Sequence, residues 1–410
     1  MKRKFNSNNI LSLVFVISSV FSSTSIINTS TFGIPLYYVS IVILIIYAII
    51  NNSVALPIFA WHLFLIVAFG LVLISIVQGL TLPTIDSKQL TQTVFRIIPL
   101  VYFILLFNFC IGNQLSLVPE FLLIMKIIVL YGIYQHFGLA FGLPFSNNFL
   151  ANNTSFNSIN LYDTLSGWNG TLRISAVWSE PAGSAVAMTT FLAFLFNRNN
   201  ESKYSKVFWM VLAVFFAYWT YSRILWLAFS IVIIVNLFRM IHLQAKAINF
   251  LRRWRYVIWV FFASLLVFYL INAMNYSTDL SALSRSQSVL VGWRVFLIHP
   301  FQGIGFGNFY QYSFLYSEMF SVFQPMDLIL GTFSNYAATL GLVGLIIAVS
   351  PVLYLLNGND KNFILGFSLS CALLTIGMIG SDIYSTSMVW MIIIMWYRCG
   401  LEKDEVINEQ

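Results

Sequence analysis

Charge is what this sequence has least of. Only 9% of its 410 residues are Asp, Glu, Lys or Arg, whereas 59% are hydrophobic and 17% aromatic. Soluble domains carry about 25% charged residues, so a folded chain this long with so few charges has too little polar surface for water. A soluble enzyme, a disordered protein and a nucleic-acid-binding module are excluded on that ground. Cysteine is scarce too: Cys110, Cys371 and Cys399 all fall inside apolar runs, with no CxxC spacing. They read as small buried hydrophobes and say nothing of a redox compartment. The sequence also has no paired-carboxylate metal motif, no Walker lysine and no HExxH, and His62, His136 and His242 are scattered. The chemistry is therefore expected to need no metal and no cofactor, with arginine standing where many phosphate-using enzymes hold Mg2+.

What the sequence does have is long apolar runs, with a mean hydropathy of +0.84. A spanning helix needs about 20 mostly apolar residues, and that rule gives about twelve spans. They fall roughly at 10–27, 34–50, 54–77, 94–111, 120–141, 181–197, 207–220, 224–240, 256–274, 333–356, 363–380 and 383–398, with bounds good to about 3 residues. The runs are continuously apolar rather than alternating, so a transmembrane barrel is excluded. The expectation is an all-α polytopic membrane protein, with residues 1–410 forming a single integral membrane domain.

Basic residues set the orientation. Lys2, Arg3 and Lys4 precede the first run, which is read as a retained span and not as a cleaved signal peptide. Arg239, Lys246, Arg252, Arg253 and Arg255 crowd one loop, and Arg398 and Lys403 follow the last span. Both termini are expected in the cytoplasm. Against that tendency, Arg96, Arg173, Arg223, Arg285 and Arg294 fall on the outward side. Two long outward loops are expected, at 142–180 and 275–332; long loops are where function concentrates. The first is rich in Asn, Ser and Gly around Trp168, a mixture suited to hydrogen bonding and stacking on sugars.

Three constellations carry chemistry. In RISAVWSEP, Arg173 to Pro181, Glu180 precedes a proline suited to the first position of a helix, where the dipole favours a carboxylate. Glu180 reads either as a helix cap paired with Arg173 or as a base beside a phosphate-binding arginine. The second is the tight turn Tyr221-Ser222-Arg223, where an arginine close to hydrocarbon is costly unless it snorkels or meets an anion. The third joins Arg285 to GWRVFLIHPFQGIGFGNF, Gly292 to Phe309. Here Val291–Ile298 is expected to form a short interfacial helix, with Arg294 and Ile298 on one face. His299-Pro300 ends that helix. Gly303, Gly305 and Gly307 then form a bend whose backbone amides are expected to approach an anion.

These runs, Arg173 to Ala185, Ser222-Arg223 and Trp293 to Phe309, resemble the Wzy-type O-antigen and capsule polymerases. More broadly they resemble the O-antigen ligase/polymerase superfamily. The likeness is best over Arg173 to Gly344. Ligases of that superfamily carry a His about eleven residues before a GxxG; counting back from Gly341 gives Leu330, which favours a polymerase. The resemblance implies a GT-C-like hexosyltransferase of the bacterial cytoplasmic (inner) membrane. It would polymerise undecaprenyl-pyrophosphate-linked repeat units into O-antigen or capsular polysaccharide at the outer face. Donor and acceptor are both lipid-linked glycans, and a chain-length-determinant co-polymerase is the implied protein partner. Arg223 and Arg294 would bind the donor pyrophosphate with support from Arg173, and Glu180 would orient or deprotonate the acceptor hydroxyl. Trp168, Arg285, His299, Gly303 and Gly305 would contact substrate. A ligase to lipid A core, or a polysaccharide flippase, are the alternatives.

Overall fold

The computed structural model describes residues 7–21, 24–28, 33–51, 56–81, 87–143, 173–178, 181–198, 201–240, 244–276, 280–309, 312, 329–357, 362–380 and 382–408. Among these, helix dominates, and the apolar runs become helices at nearly every expected place. In chain order they are α1 Ser7–Val20, α2 Leu36–Asn51, α3 Ile58–Thr81, α4 Ser87–Gly112, α5 Val118–Phe141, α6 Ala185–Asn197 and α7 Lys203–Thr220. There follow α8 Arg223–Met240, α9 Gln244–Tyr276, α10 Leu280–Ile298, α11 Thr332–Leu356, α12 Phe363–Ile379 and α13 Ser387–Asn408.

Local chemistry sets several of these ends. Proline stands in the first turn of α5, where its missing N–H costs nothing, and left-handed Gly142 (φ 67°) closes the helix by donating to the Gly138 carbonyl. Ser202 caps α7 by accepting from the Ser205 amide at 3.2 Å. One expected span is shorter than the apolar run: α1 stops at Val20. Ser25–Asn28 (β1) instead pairs antiparallel with Gly33–Pro35 (β2). The Ser-Ser-Thr-Ser stretch from Ser22 explains the stop, because hydroxyl side chains compete for backbone hydrogen bonds and weaken a helix.

Five helices are long and apolar enough to cross a membrane among the described residues, with windows at Ala60–Gln78, Thr93–Gly112, Val118–Gly138, Ile248–Asn272 and Thr332–Leu356. Shorter apolar helices accompany them. Large apolar side chains such as Ile50, Phe69, Leu80 and Phe141 stand exposed on many helices. A surface this apolar is suited to lipid and not to water. The protein is an all-α membrane protein with a short two-stranded ribbon.

Packing divides the chain into two units, each built from pieces distant in sequence. The first comprises 1–55, 105–240 and 386–410, the second 56–104 and 241–385. In the first unit, α1 packs on α2, α5 and α13, and α6 packs on α5, α7 and α8. In the second, α11 is central, packing on α3, α10 and α12, while α9 lies against α10 and α12.

Helix α10 departs from expectation. A short helix over 291–298 was expected inside a long loop, whereas the helix begins at Leu280. Its first half escapes an apolar scan because it reads Ser-Arg-Ser-Gln-Ser. Ser286, Gln287 and Ser288 are nonetheless buried, and Ser288 Oγ accepts the Leu330 amide at 2.9 Å.

Candidate functional site

The second unit is built around a break in α11. Gly341 holds φ 66° and ψ −148°, outside the helical region and open in practice to glycine. A helix amide normally donates to the carbonyl four residues earlier. Here the Leu342 amide turns away and donates to Pro300 O at 2.7 Å. The carbonyls released by the break find other donors. Ala338 O accepts Ile304 N at 3.0 Å, and Thr339 O accepts Gly305 N at 2.8 Å. Gln78, from the end of α3, donates Nε2 to both Thr339 O and Gln302 O, each at 2.7 Å. The Leu342 amide and the Ala338 and Thr339 carbonyls are thus satisfied by the bend after α10 and by Gln78.

The glycines make this docking feasible. Gly303 (φ 63°) lies so close that a Cβ would overlap the Thr339 carbonyl, and a Cβ on Gly341 would sit 2.6 Å from Pro300 O and Phe301 O. For Gly303 and Gly305 this corrects the expectation of anion-binding amides. The N–H groups of Gly303, Ile304 and Gly305 are donated to the carbonyls of His299, Ala338 and Thr339. The glycine run is a backbone clasp.

The clasp delivers Phe306 to a buried charge. Arg96, in α4, is 5% exposed and places its guanidinium 3.1 Å from the Asp382 carboxylate, just past the end of α12. The same guanidinium lies 3.8 Å from the Phe306 ring centre and 5.9 Å from that of Tyr336. Tyr336 meets Phe306 and Tyr384 edge to face, and Tyr384 donates its hydroxyl to Ala348 O at 2.6 Å. Asp382 Oδ1 also accepts the Tyr384 amide at 3.1 Å. An ionised pair buried inside an apolar helical unit is expensive to desolvate, which marks it as a candidate functional element. Arg96 was visible in the sequence as an unexplained outward arginine. Asp382 was missed; a lone acid between two apolar runs was the available signal.

The expected site residues of this unit lie along the same chain segment. Arg294 is exposed on the last turns of α10, on the face shared with exposed Ile298. The adjoining side buries Val291 and Val295 against Ile304, Phe309, Ile329 and Ala338. Arg285 stands on the same helix nine positions earlier. At 100° and 1.5 Å per residue that is about 14 Å away and on the other face, so α10 does not bring these two arginines together. His299 extends α10 by one bond to Val295 O and sets its ring edge-on to Tyr312 at 5.5 Å.

In the first unit the structure does bring two expected arginines to one turn. Thr220-Tyr221-Ser222 links α7 to α8, with Tyr221 in the left-handed region (φ 50°). Arg173 donates Nε to Thr220 O at 3.0 Å, and Ile174 donates its amide to Trp219 O at 3.1 Å. Arg223 opens α8 and is exposed. Gln135 Oε1 secures the approach by accepting the amides of Ser175 and Ala176 at 3.3 and 2.8 Å. Pro181–Ser184 forms a single tight turn ahead of α6. Glu180 and Trp168 lie outside the described residues, as does most of the 142–180 loop.

Among the described residues, no group of three or more His, Cys, Asp and Glu side chains is arranged to hold a metal ion. In comparisons with known proteins, no family model and no curated protein matches this chain.

Proposed function

We propose that this chain polymerises undecaprenyl-pyrophosphate-linked oligosaccharide repeat units at the outer face of the bacterial cytoplasmic membrane. About twelve spans, both termini in the cytoplasm and two long outward loops belong to the same reading. The observation that carries it is the placing of scarce charge in the runs that resemble Wzy-type polymerases. Arg173 is fastened to the turn that Arg223 follows, and Arg294 stands exposed beside the clasped bend.

The reaction suits guanidinium groups. The acceptor hydroxyl attacks the anomeric carbon of the donor glycan, and the bond from that carbon to the pyrophosphate oxygen breaks. Negative charge builds on the departing pyrophosphate, and arginine forks stabilise it through paired charge-assisted hydrogen bonds. The hydroxyl proton passes to Glu180 or, where that carboxylate only orients the acceptor, to water. Arg223 and Arg294, with Arg173 in support, bind the donor pyrophosphate in this reading.

The test is the purified protein with a synthetic lipid-linked repeat unit. A ladder of products of increasing repeat number, formed equally in EDTA, is the expected result. A product count that never exceeds the input unit overturns the polymerase reading. In cells, loss of the chain should leave a single repeat unit on its carrier core. Complete loss of O-antigen points instead to the ligase or flippase alternatives.

A further inference from the structure

Helix α9 turns most of its surface away from the protein. Only 11% of the Ile248–Asn272 window is buried. Its exposed side has a definite order, beginning with Arg253 and continuing through Val257, Val260, Phe261, Leu265 and Phe268. These positions follow helical spacing, so they form one broad ridge. From Val257 to Phe268 the ridge rises about 16 Å at 1.5 Å per residue. That is about half of the 30 Å hydrocarbon core, the depth of one leaflet.

The basic head of the ridge lies at a defined level. Tyr256 donates its hydroxyl to Asn357 Oδ1 at 2.5 Å, and Asn357 is the residue that ends α11. Arg252 lies 5.7 Å from the ring centre of Phe363, the first residue of α12. The segment Arg252–Tyr256 therefore stands where two neighbouring apolar helices end and begin, the level expected of lipid headgroups. Arg255 packs on its neighbour Tyr256, with its guanidinium 4.8 Å from the ring centre, and Trp254 is exposed beside them. Aromatic and basic side chains together are characteristic of that interface. No Asp or Glu occurs between Arg239 and Tyr276, so nothing acidic in the segment offsets the charge.

We propose that Arg253 binds the phosphate of an anionic phospholipid whose acyl chains lie along the Val257–Phe268 ridge. The site is independent of the polymerase reading. Charge complementarity selects an anionic headgroup over a zwitterionic one, because each basic side chain near a lipid surface contributes about fivefold in affinity. The ridge supplies the apolar half of the contact.

The test is thermal unfolding of the detergent-purified full chain titrated with phosphatidylglycerol, with phosphatidylcholine of the same acyl chains, or with sodium phosphate. Phosphatidylglycerol alone should raise the midpoint. Arg253→Gln should weaken its half-saturation about fivefold, and Arg255→Gln, on the other face of α9, should weaken it less. Both variants should keep the lipid-free midpoint, and Arg253→Lys, which retains the charge, should bind nearly as the parent does. An equal response to phosphatidylcholine, a response to sodium phosphate by itself, or unchanged lipid binding on loss of Arg253 overturns the proposal.

Discussion

The guanidinium of Arg96 is held 3.1 Å from the carboxylate of Asp382 while its other side covers the ring of Phe306. One side chain of α4 thus joins the far end of α12 to the bend that follows α10. Both charges are largely withdrawn from solvent, at 5% and 13% exposure. Breaking such a pair by removing one partner costs about 3–5 kcal/mol. Asp382→Asn should therefore lower the thermal midpoint in detergent strongly. The double variant Arg96→Met with Asp382→Asn should recover part of the loss, since neither charge then remains buried. A double variant no more stable than Asp382→Asn alone would show that the two residues act separately.

The clasp makes a sharper prediction about glycine. Gly341→Ala places a side chain 2.6 Å from two carbonyl oxygens and forces a backbone region that costs about 1–3 kcal/mol on conformation alone. Gly303→Ala meets the Thr339 carbonyl in the same way. Both should destabilise the second unit in a denaturation series. Gly142→Ala, whose Cβ would meet nothing within 4 Å, should cost only the strain of its positive φ. A Gly341→Ala protein as stable as the parent would mean the break in α11 is not required.

Topology has its own test. Reporter fusions after Asn157 and after Ser313 should both report outside, and a fusion at Lys246 should report inside. The same side for Asn157 and Lys246 would remove the twelve-span arrangement and the site assignment with it.

For the arginines, replacing one donor to a developing oxyanion lowers the rate about 100- to 1000-fold. Arg294→Lys keeps the charge but loses the planar fork, so polymer length should fall sharply at matched membrane levels. Glu180→Gln keeps size and helix-capping capacity, and separates a base from a cap. Full-length polymer from both variants would leave these residues as structural.

How much of this was legible beforehand follows from the range of each interaction. The placing of α2, α11 and α12 was readable to within a few residues, because lipid demands a continuous apolar run and that demand is local. The face of α10 that carries Arg294 was readable for the same reason, since 3.6-residue spacing fixes which side chains share a side. The start of α10 was not. Ser286, Gln287 and Ser288 look like loop, and only partners such as the Leu330 amide make their burial tolerable. The glycines at 303 and 305 announced a bend, but nothing local said where its amides would donate. That depended on a break in a helix some forty residues further on. Arg96 and Asp382 are each an anomaly in the sequence and become a pair only when the fold brings α4 to the segment just past α12. The sequence by itself determined that this chain lives in a bilayer and where most of its apolar helices run. Tertiary structure decided which buried polar groups meet, because a hydrogen bond or ion pair needs a partner at about 3 Å and the sequence places that partner anywhere.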